Sequence, residues 1–148
     1  MKYLSYSILI CLICLIFLQS CKDDCEQCLT PPRPFNFEIV DNTSLENLFE
    51  NGTYQPEEIQ VINTLNDSQV EFTYNADTKL IQINSIGWKT EVVNLRLSIA
   101  GNDIFDFYVD AERETEDCCS FTEYRELTIK KSAFKINSES GVYVILLE

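Results

Sequence analysis

The chain has 148 residues and is strongly acidic, with 24 Asp and Glu against 11 Lys and Arg and a formal net charge of −13 at pH 7. This charge argues against nucleic acid as a partner and against adsorption of the protein surface to anionic lipid. The chain contains no histidine, which removes imidazole metal ligands, Ser-His-Asp and Cys-His machinery, and the commonest general base at neutral pH. We therefore predict a protein that is not an enzyme, and we assign no catalytic residue.

The first twenty residues, "MKYLSYSILICLICLIFLQS", have the layout of a secretory signal. Lys2 is followed by an apolar stretch from Ile8 to Leu18 and then by the small residue Ser20. A membrane-spanning helix, the alternative, needs about 20 consecutive apolar residues, and this stretch ends short of that length. The pattern therefore favours a signal peptide over residues 1–20.

The end of this signal reads "LQSC", from Leu18 to Cys21. It resembles the lipobox of bacterial lipoproteins, in which a peptidase cleaves just before the cysteine and the cysteine carries the lipid. The resemblance implies that Cys21 is the lipid attachment residue, carrying palmitate or a similar acyl chain. Because two acyl chains on one residue suffice for stable anchoring, the lipid alone would hold the protein at a membrane.

The residues directly after the cysteine are Lys22, Asp23 and Asp24. They resemble the lysine and two acidic residues that follow the lipobox in surface-exported lipoproteins of the Bacteroidota. This resemblance implies a lipoprotein of the cell outer membrane that is exposed at the cell surface. A solvated charged tether, serving a lipoprotein on either face of that membrane, is the alternative interpretation.

Four cysteines remain after the two in the signal and the acylated one: Cys25, Cys28, Cys118 and Cys119. An even number in an exported chain suggests disulfides. A bond between the neighbours Cys118 and Cys119 is disfavoured, because Cα atoms about 3.8 Å apart lie below the usual disulfide range of about 4.4 to 6.8 Å. We therefore expect bonds that cross between the early pair and the late pair, with both crossing connectivities open.

Two other interpretations of "CEQC", residues Cys25 to Cys28, are weaker. The C-x-x-C of thiol-disulfide oxidoreductases opens a helix after a strand, and no alternating strand and helix pattern surrounds this one. A four-thiolate zinc site normally uses a second C-x-x-C, and the chain offers only the adjacent pair "CC". A structural role for these cysteines is the preferred hypothesis.

Closely spaced prolines at Pro31, Pro32 and Pro34 favour an extended, semi-rigid spacer before the body of the protein. The predicted organisation is a signal peptide over residues 1–20, an acylated tether over 21–34 and a single β domain over 35–148. Removing the signal takes away one lysine and no acidic residue, which leaves ten basic residues and a charge of about −14 before the termini are counted.

From Phe35 onward the apolar residues alternate with a period of two, which predicts strands with one buried face. Further strands are indicated by "LTI", "AFKIN" and "VYVILLE" near the end of the chain. The predicted inward-facing residues of the earlier strands are Phe35, Phe37 and Ile39; Ile59 and Val61; Val70, Phe72 and Tyr74; Ile81 and Ile83; Val93, Leu95, Leu97 and Ile99; and Phe105, Phe107 and Val109.

One stretch, "TSLENLFENG", breaks this alternation. Thr43 and Glu46 fit a helix capping box, and Leu45, Leu48 and Phe49 fall at helical spacing before an Asn-Gly stop. We predict a short helix that covers one end of the sheets. The fold class is then all-β: an antiparallel β-sandwich, immunoglobulin-like or transthyretin-like, with an eight-stranded calycin-like barrel as the alternative.

Two features suggest ligands. Asp110, Glu112, Glu114 and Glu116 alternate along a predicted strand, so that their carboxylates share one face where calcium is a candidate cofactor. The stretch lacks the calcium-loop pattern, and a solvated charged strand that blunts a sheet edge is the preferred interpretation. Trp88 is either a platform that stacks a sugar or a residue of the core. We predict a non-catalytic surface module with a structural or protein-binding role, with glycan or small-ligand binding as the alternative.

Overall fold

The structure is a computed structural model that describes residues 28–116 and 119–148. Within these residues the chain forms ten strands in two five-stranded sheets, ordered β3-β2-β6-β7-β8 and β4-β5-β1-β10-β9. The strands are β1 (Phe35–Asp41), β2 (Ile59–Asn63), β3 (Ser68–Gln69), β4 (Thr73–Asn75), β5 (Leu80–Ile83), β6 (Glu91–Ile99), β7 (Asn102–Glu116), β8 (Cys119–Lys130), β9 (Ala133–Ile136) and β10 (Tyr143–Leu147).

The two sheets pack face to face, which confirms the predicted β-sandwich. In the described residues the edge strand β8 of one sheet pairs with β7, and the edge strand β9 of the other pairs with β10. The sheets therefore stay separate and do not close, so the barrel alternative is wrong. Neighbouring strands are mostly antiparallel, and the exception is β1, which runs parallel to β10 with Phe37 opposite Tyr143.

The core lies between the sheets and is built from the alternate residues that the sequence pattern predicted. Phe35, Phe37 and Phe107 are fully buried, and their rings meet edge to face, with centroids 5.0 Å apart for Phe35 and Phe107 and 5.2 Å for Phe37 and Phe107. Such edge-to-face pairs add to the free energy that burial alone contributes. The predicted inward sets of β2, β5, β6 and β7 are also buried.

The third predicted strand is shorter than expected. Val70 and Phe72 lie outside any strand, and β4 begins only at Thr73. Val70, Phe72 and Tyr74 are nevertheless partly buried against the core.

The predicted helix over residues 43–52 is wrong. That stretch forms successive turns, and the helical turn in this region of the chain is a 3-10 helix at Pro56–Glu58. The Asp41 carboxylate accepts the backbone N–H groups of Thr43 and Ser44, and the Asn47 side chain accepts those of Phe49 and Glu50. Side chains that capture backbone donors in this way compete with helical hydrogen bonds.

The helical spacing also misplaced one apolar residue. Leu48 and Phe49 are buried as expected, whereas Leu45 has a positive φ of 60° and is 60% exposed. The turns therefore cover the end of the sandwich with two of the three predicted apolar residues.

Candidate functional site

A disulfide bond joins Cys28 to Cys119, the first residue of β8. Their Cα atoms are 4.3 Å apart, and the bond spans 91 positions of sequence. This bond, which we call the staple, is one of the crossing bonds that the cysteine pattern favoured. Cys25 and Cys118 lie outside the described residues, so a bond between them stays a prediction.

The backbone beside the staple continues the attachment. Ser120 N–H donates to the carbonyl oxygen of Cys28 at 3.1 Å, and Thr30 N–H donates to the carbonyl oxygen of Ser120 at 2.9 Å. Leu29 and Ser120 thereby form an isolated parallel bridge at the outer edge of β8. The first residues after the staple therefore cover backbone groups that an edge strand otherwise exposes.

Further along, Pro32 is buried against a tight loop. Gly87 in that loop has a φ of +92°, and a Cβ atom there would lie 2.7 Å from Cγ2 of Thr122 and 3.4 Å from Cβ of Pro32. The Thr122 hydroxyl donates to the carbonyl oxygen of Gly87 at 2.6 Å. Only glycine fits this junction without displacing its neighbours, because any side chain would meet both the space limit and the unfavourable φ.

Arg33 completes the attachment to the core. Its guanidinium carbon lies 5.3 Å from the ring centroid of Phe35 and 5.1 Å from that of Tyr124, within the range of cation–π contacts. The Tyr124 hydroxyl lies 3.4 Å from the carbonyl oxygens of Arg33 and Ile86, to which it donates, and burial raises the pKa of Tyr124.

Residues 28–34 are therefore a docked segment of the domain. The predicted tether over residues 21–34 needs correction in this part, because from Cys28 onward the chain is bonded to β8 and packed on the core. The lipid attachment residue Cys21 and the export residues Lys22, Asp23 and Asp24 lie outside the described residues.

Trp88 is 53% exposed, so the ring is not part of the core. Its indole N–H donates to the carbonyl oxygen of Asn84 at 3.0 Å. This bond restricts the rotation of the ring while its apolar surface stays in contact with solvent. The position fits the sugar-stacking interpretation better than the core interpretation.

The carboxylates proposed for calcium do share the outer face of β7. Asp110, Glu112 and Glu114 alternate with buried Val109 and buried Ala111. Opposite them on β8 lie the acidic residues Glu126 and Glu123, and Arg125 forms an ion pair with Glu112. In residues 28–116 and 119–148 no group of three or more Asp, Glu, Cys or His side chains is arranged to hold a metal ion.

The most connected charges lie at the opposite end of the domain from the staple. Arg96 pairs with Asp106 at 2.9 Å, and Lys131 pairs with Asp103 at 2.8 Å. The hydrogen bond from Lys131 is the main reason why the pKa of Asp103 is lowered. This network links β6, β7 and the turn after β8, and we interpret it as structural.

The predicted cysteine bond attached the tether to the body of the domain, but neither the packing of residues 29–34 nor the junction at Gly87 was expected from the sequence. The signal for the docked segment was the even cysteine count, which indicated that the region of Cys25 and Cys28 is bonded to the region of Cys118 and Cys119. Gly87 carried no motif that distinguishes a tight junction from an ordinary turn.

No helix in the described residues is long and apolar enough to cross a membrane. In comparisons with known proteins, no family model, no curated protein and no solved structure matches the chain.

Proposed function

We propose that this protein is a lipid-anchored module of the cell envelope, held by an acyl group on Cys21 and acting through protein contacts rather than through catalysis. The observation that carries the proposal is the sequence "LQSC" followed, seven residues later, by a cysteine that is stapled to the domain. A disulfide is expected in an oxidising, exported environment. The absence of histidine and the lack of a sequence motif for catalysis support a non-catalytic role.

The staple gives the proposed anchor a mechanical consequence. Cys28 stands seven positions after Cys21, and an extended chain spans at most about 3.6 Å per residue, so the staple lies within about 25 Å of the lipid-bearing residue. The end of the domain that holds the last residue of β7, Glu116, and the first residue of β8, Cys119, would then face the membrane. The turns at residues 42–54 and 100–101, at the far end, would face away from it and would be accessible to partners.

Changing Cys21 to Ser is expected to abolish lipidation and to leave the unprocessed precursor, because serine offers no thiol for the acyl donor. Metabolic labelling with a palmitate analogue, followed by mass analysis of the chain, measures both effects. Cys28→Ser is the matched control and should retain the label. If the wild-type protein is cleaved but takes up no label, the anchor proposal is wrong.

Replacing Lys22, Asp23 and Asp24 together by Ala is expected to reduce surface exposure while lipidation stays unchanged. Protease treatment of intact cells measures the exposure. A control variant removes the same charges from exposed positions of the domain, at Glu57, Glu71 and Lys89. Equal protease sensitivity of the wild type and the triple Ala variant would show that these residues are not an export signal.

Glycan binding is the second candidate function, and the exposed, hydrogen-bonded Trp88 is the observation that favours it. Trp88 is the single tryptophan of the chain, so its fluorescence reports on this position alone. If Trp88 stacks on sugars, oligosaccharides should change its emission saturably at millimolar concentrations or below. Calorimetry with Trp88→Ala should then show no binding heat, and an unchanged emission across a panel of oligosaccharides would exclude this function for the sugars tested.

A further inference from the structure

Strand β9 is an exposed edge with apolar side chains on its inner face. All four of its residues are exposed, and Phe134 and Ile136 are 40% and 55% exposed. Their cross-strand partners on β10 are the buried residues Ile145 and Tyr143, so Phe134 and Ile136 point toward the space between the sheets. Strand β9 therefore presents two large apolar side chains on a core-facing surface that is left open.

The backbone of β9 is also open along its outer side. Asn137 N–H donates to the carbonyl oxygen of Val142, which marks that pair as hydrogen-bonded in the antiparallel ladder. Because hydrogen-bonded pairs alternate, Ala133 and Lys135 direct their peptide groups toward β10, and Phe134 and Ile136 direct theirs away from it. No described residue accepts from or donates to these four outward groups.

The other sheet edges are less suited to accept an additional strand. Residues Cys28–Thr30 cover the beginning of β8, and the apolar residues Leu127 and Ile129 near its end are already half-buried. The opposite edges are β3 and β4, which have only two and three residues. Very short or covered edges are common ways to prevent unwanted pairing. Among the described strands, β9 thus combines free backbone groups with apolar side chains.

A groove of about 250 Å³ runs between β8 and β9 where the sandwich is open. The described residues that line it are mostly apolar and include Leu127, Ile129, Phe134, Ile136 and Tyr143. Arg33 is the charged residue among them. A strand added to β9 would direct every second side chain into this groove, because side chains alternate along a strand. The groove therefore fits small or medium apolar side chains at a spacing of two.

The charge around β9 indicates what the other face of such a strand should carry. Lys130, Lys131 and Lys135 are three of the ten basic residues left after removal of residues 1–20. Lys131 is paired with Asp103, whereas Lys130 and Lys135 have no ion pair among the described residues. Lys135 lies on the face of β9 away from the groove, where Asp or Glu of an added strand would meet it.

A second copy of this chain fits poorly at the same edge. Antiparallel pairing of β9 with itself would bring Lys135 close to the Lys135 of the second copy. Like charges directly opposite one another on paired strands are destabilising. The occupant favoured by the charges is therefore another protein.

We propose that β9 binds an extended segment of another protein, in which apolar and acidic residues alternate, by adding that segment to the sheet as a further strand. Main-chain hydrogen bonds to Phe134 and Ile136 would provide affinity, and the groove and Lys135 would provide specificity. This proposal rests on the protein-binding role proposed above and names the surface that performs it.

The test uses the ¹⁵N-labelled protein as it is extracted from cells into detergent micelles, with its lipidation measured by mass, and an acetylated, amidated seven-residue peptide of alternating Glu and Val. Binding should shift the amide resonances of Phe134 and Ile136 saturably and slow their hydrogen exchange. In a peptide added antiparallel to β9, the valines form the hydrogen-bonded pairs with Phe134 and Ile136. Methylating the valine nitrogens therefore removes the donors that face β9 and should weaken binding by about tenfold or more. Methylating the glutamate nitrogens, whose N–H groups face solvent, is the matched control.

Charge is tested separately with Lys135→Glu. This change should weaken binding of the Glu-Val peptide several-fold and strengthen binding of a Lys-Val peptide. Lys89→Glu makes the same charge change in the Trp88 loop and should alter the affinity for neither peptide. Resonance shifts confined to other strands, or equal affinity for the peptide methylated at valine, would overturn the proposal. So would self-association through β9 in sedimentation experiments, since a second copy would then be the occupant.

The same experiment separates this proposal from the anchor. A chain that is not lipidated but binds the peptide at β9 contradicts the role of Cys21 and supports the strand addition. A lipidated chain whose Phe134 and Ile136 amides are unaffected by the peptide contradicts strand addition and leaves the anchor supported.

Discussion

Replacing Cys28 and Cys119 together by Ser is expected to lower the free energy of unfolding by about 2 to 5 kcal/mol, the usual loss for a native disulfide in a small exported domain. The bond spans 91 positions, and closing a loop of that size restricts the unfolded chain by an amount equivalent to about 4 to 5 kcal/mol. Residual structure in the unfolded chain reduces this value.

Urea denaturation followed by the fluorescence of Trp88 measures this loss. Reductant should lower the melting temperature of the wild type more than that of the double Ser variant, in which the predicted Cys25–Cys118 bond is the one left to reduce. The variant with Ser at Cys25 and Cys118 is the comparison that shows how much the second cysteine pair contributes. An unchanged melting temperature in reductant, with free thiols confirmed, would contradict a structural role for the staple and would reopen the redox and metal interpretations of "CEQC".

Loss of the staple should also change where the domain sits relative to its proposed anchor. Without it, residues 28–34 are held by the hydrogen bonds at Ser120, the packing of Pro32 and the contacts of Arg33. If these contacts fail, the stretch of chain from Cys21 to the first attached residue lengthens from seven residues, 21–27, to fourteen, 21–34. Protease should then cut the double Ser variant between Cys28 and Phe35 faster than it cuts the wild type.

Truncating Phe107 to Ala is expected to destabilise the domain by about 3 to 5 kcal/mol, the range for a large aromatic residue in a core. Phe107 is fully buried, and its ring centroid lies within 6 Å of those of Phe35, Phe37 and Tyr143. These three neighbours all belong to the opposite sheet, so the cavity left behind cannot collapse without moving one sheet toward the other.

Phe134→Ala is the matched control, because Phe134 is the same residue type but is 40% exposed at the sheet edge. This substitution should lower the free energy of unfolding by about 1 kcal/mol or less. Urea denaturation with the disulfide intact measures both variants. Equal losses for Phe107 and Phe134 would mean that the core does not lie between the sheets as described.

The buried face of most strands was predictable because alternation is a local property. Over residues 35–39 of β1, 93–99 of β6 and 105–111 of β7, every second side chain is apolar and is buried. The pleat of an extended backbone places such residues on one side wherever the strand lies in the fold. Strand β8 lacked this signal over its first half, where the consecutive residues 119–122 are all half-buried, so only its end was recognised.

The prediction of a short helix over residues 43–52 was wrong for a physical reason. Spacing and capping pattern described a helix near Thr43 well, but Asp41 and Asn47 use their side chains to hold turns instead. The choice between these two hydrogen-bonding arrangements depends on what the segment packs against. The isolated bridge between Val40 and Asn47 ties the turns to β1.

The sequence by itself determined the sandwich class, the buried alternate residues of the strands and the expectation that early and late cysteines meet, because each depends on residue type and spacing. The parallel pairing of the two terminal strands, the fit of Gly87 against Thr122, and the open edge at Phe134 and Ile136 were decided only by the tertiary structure. Each of these brings together or exposes groups that are far apart in the chain. Their contacts depend on how the two sheets stack, which no local pattern encodes.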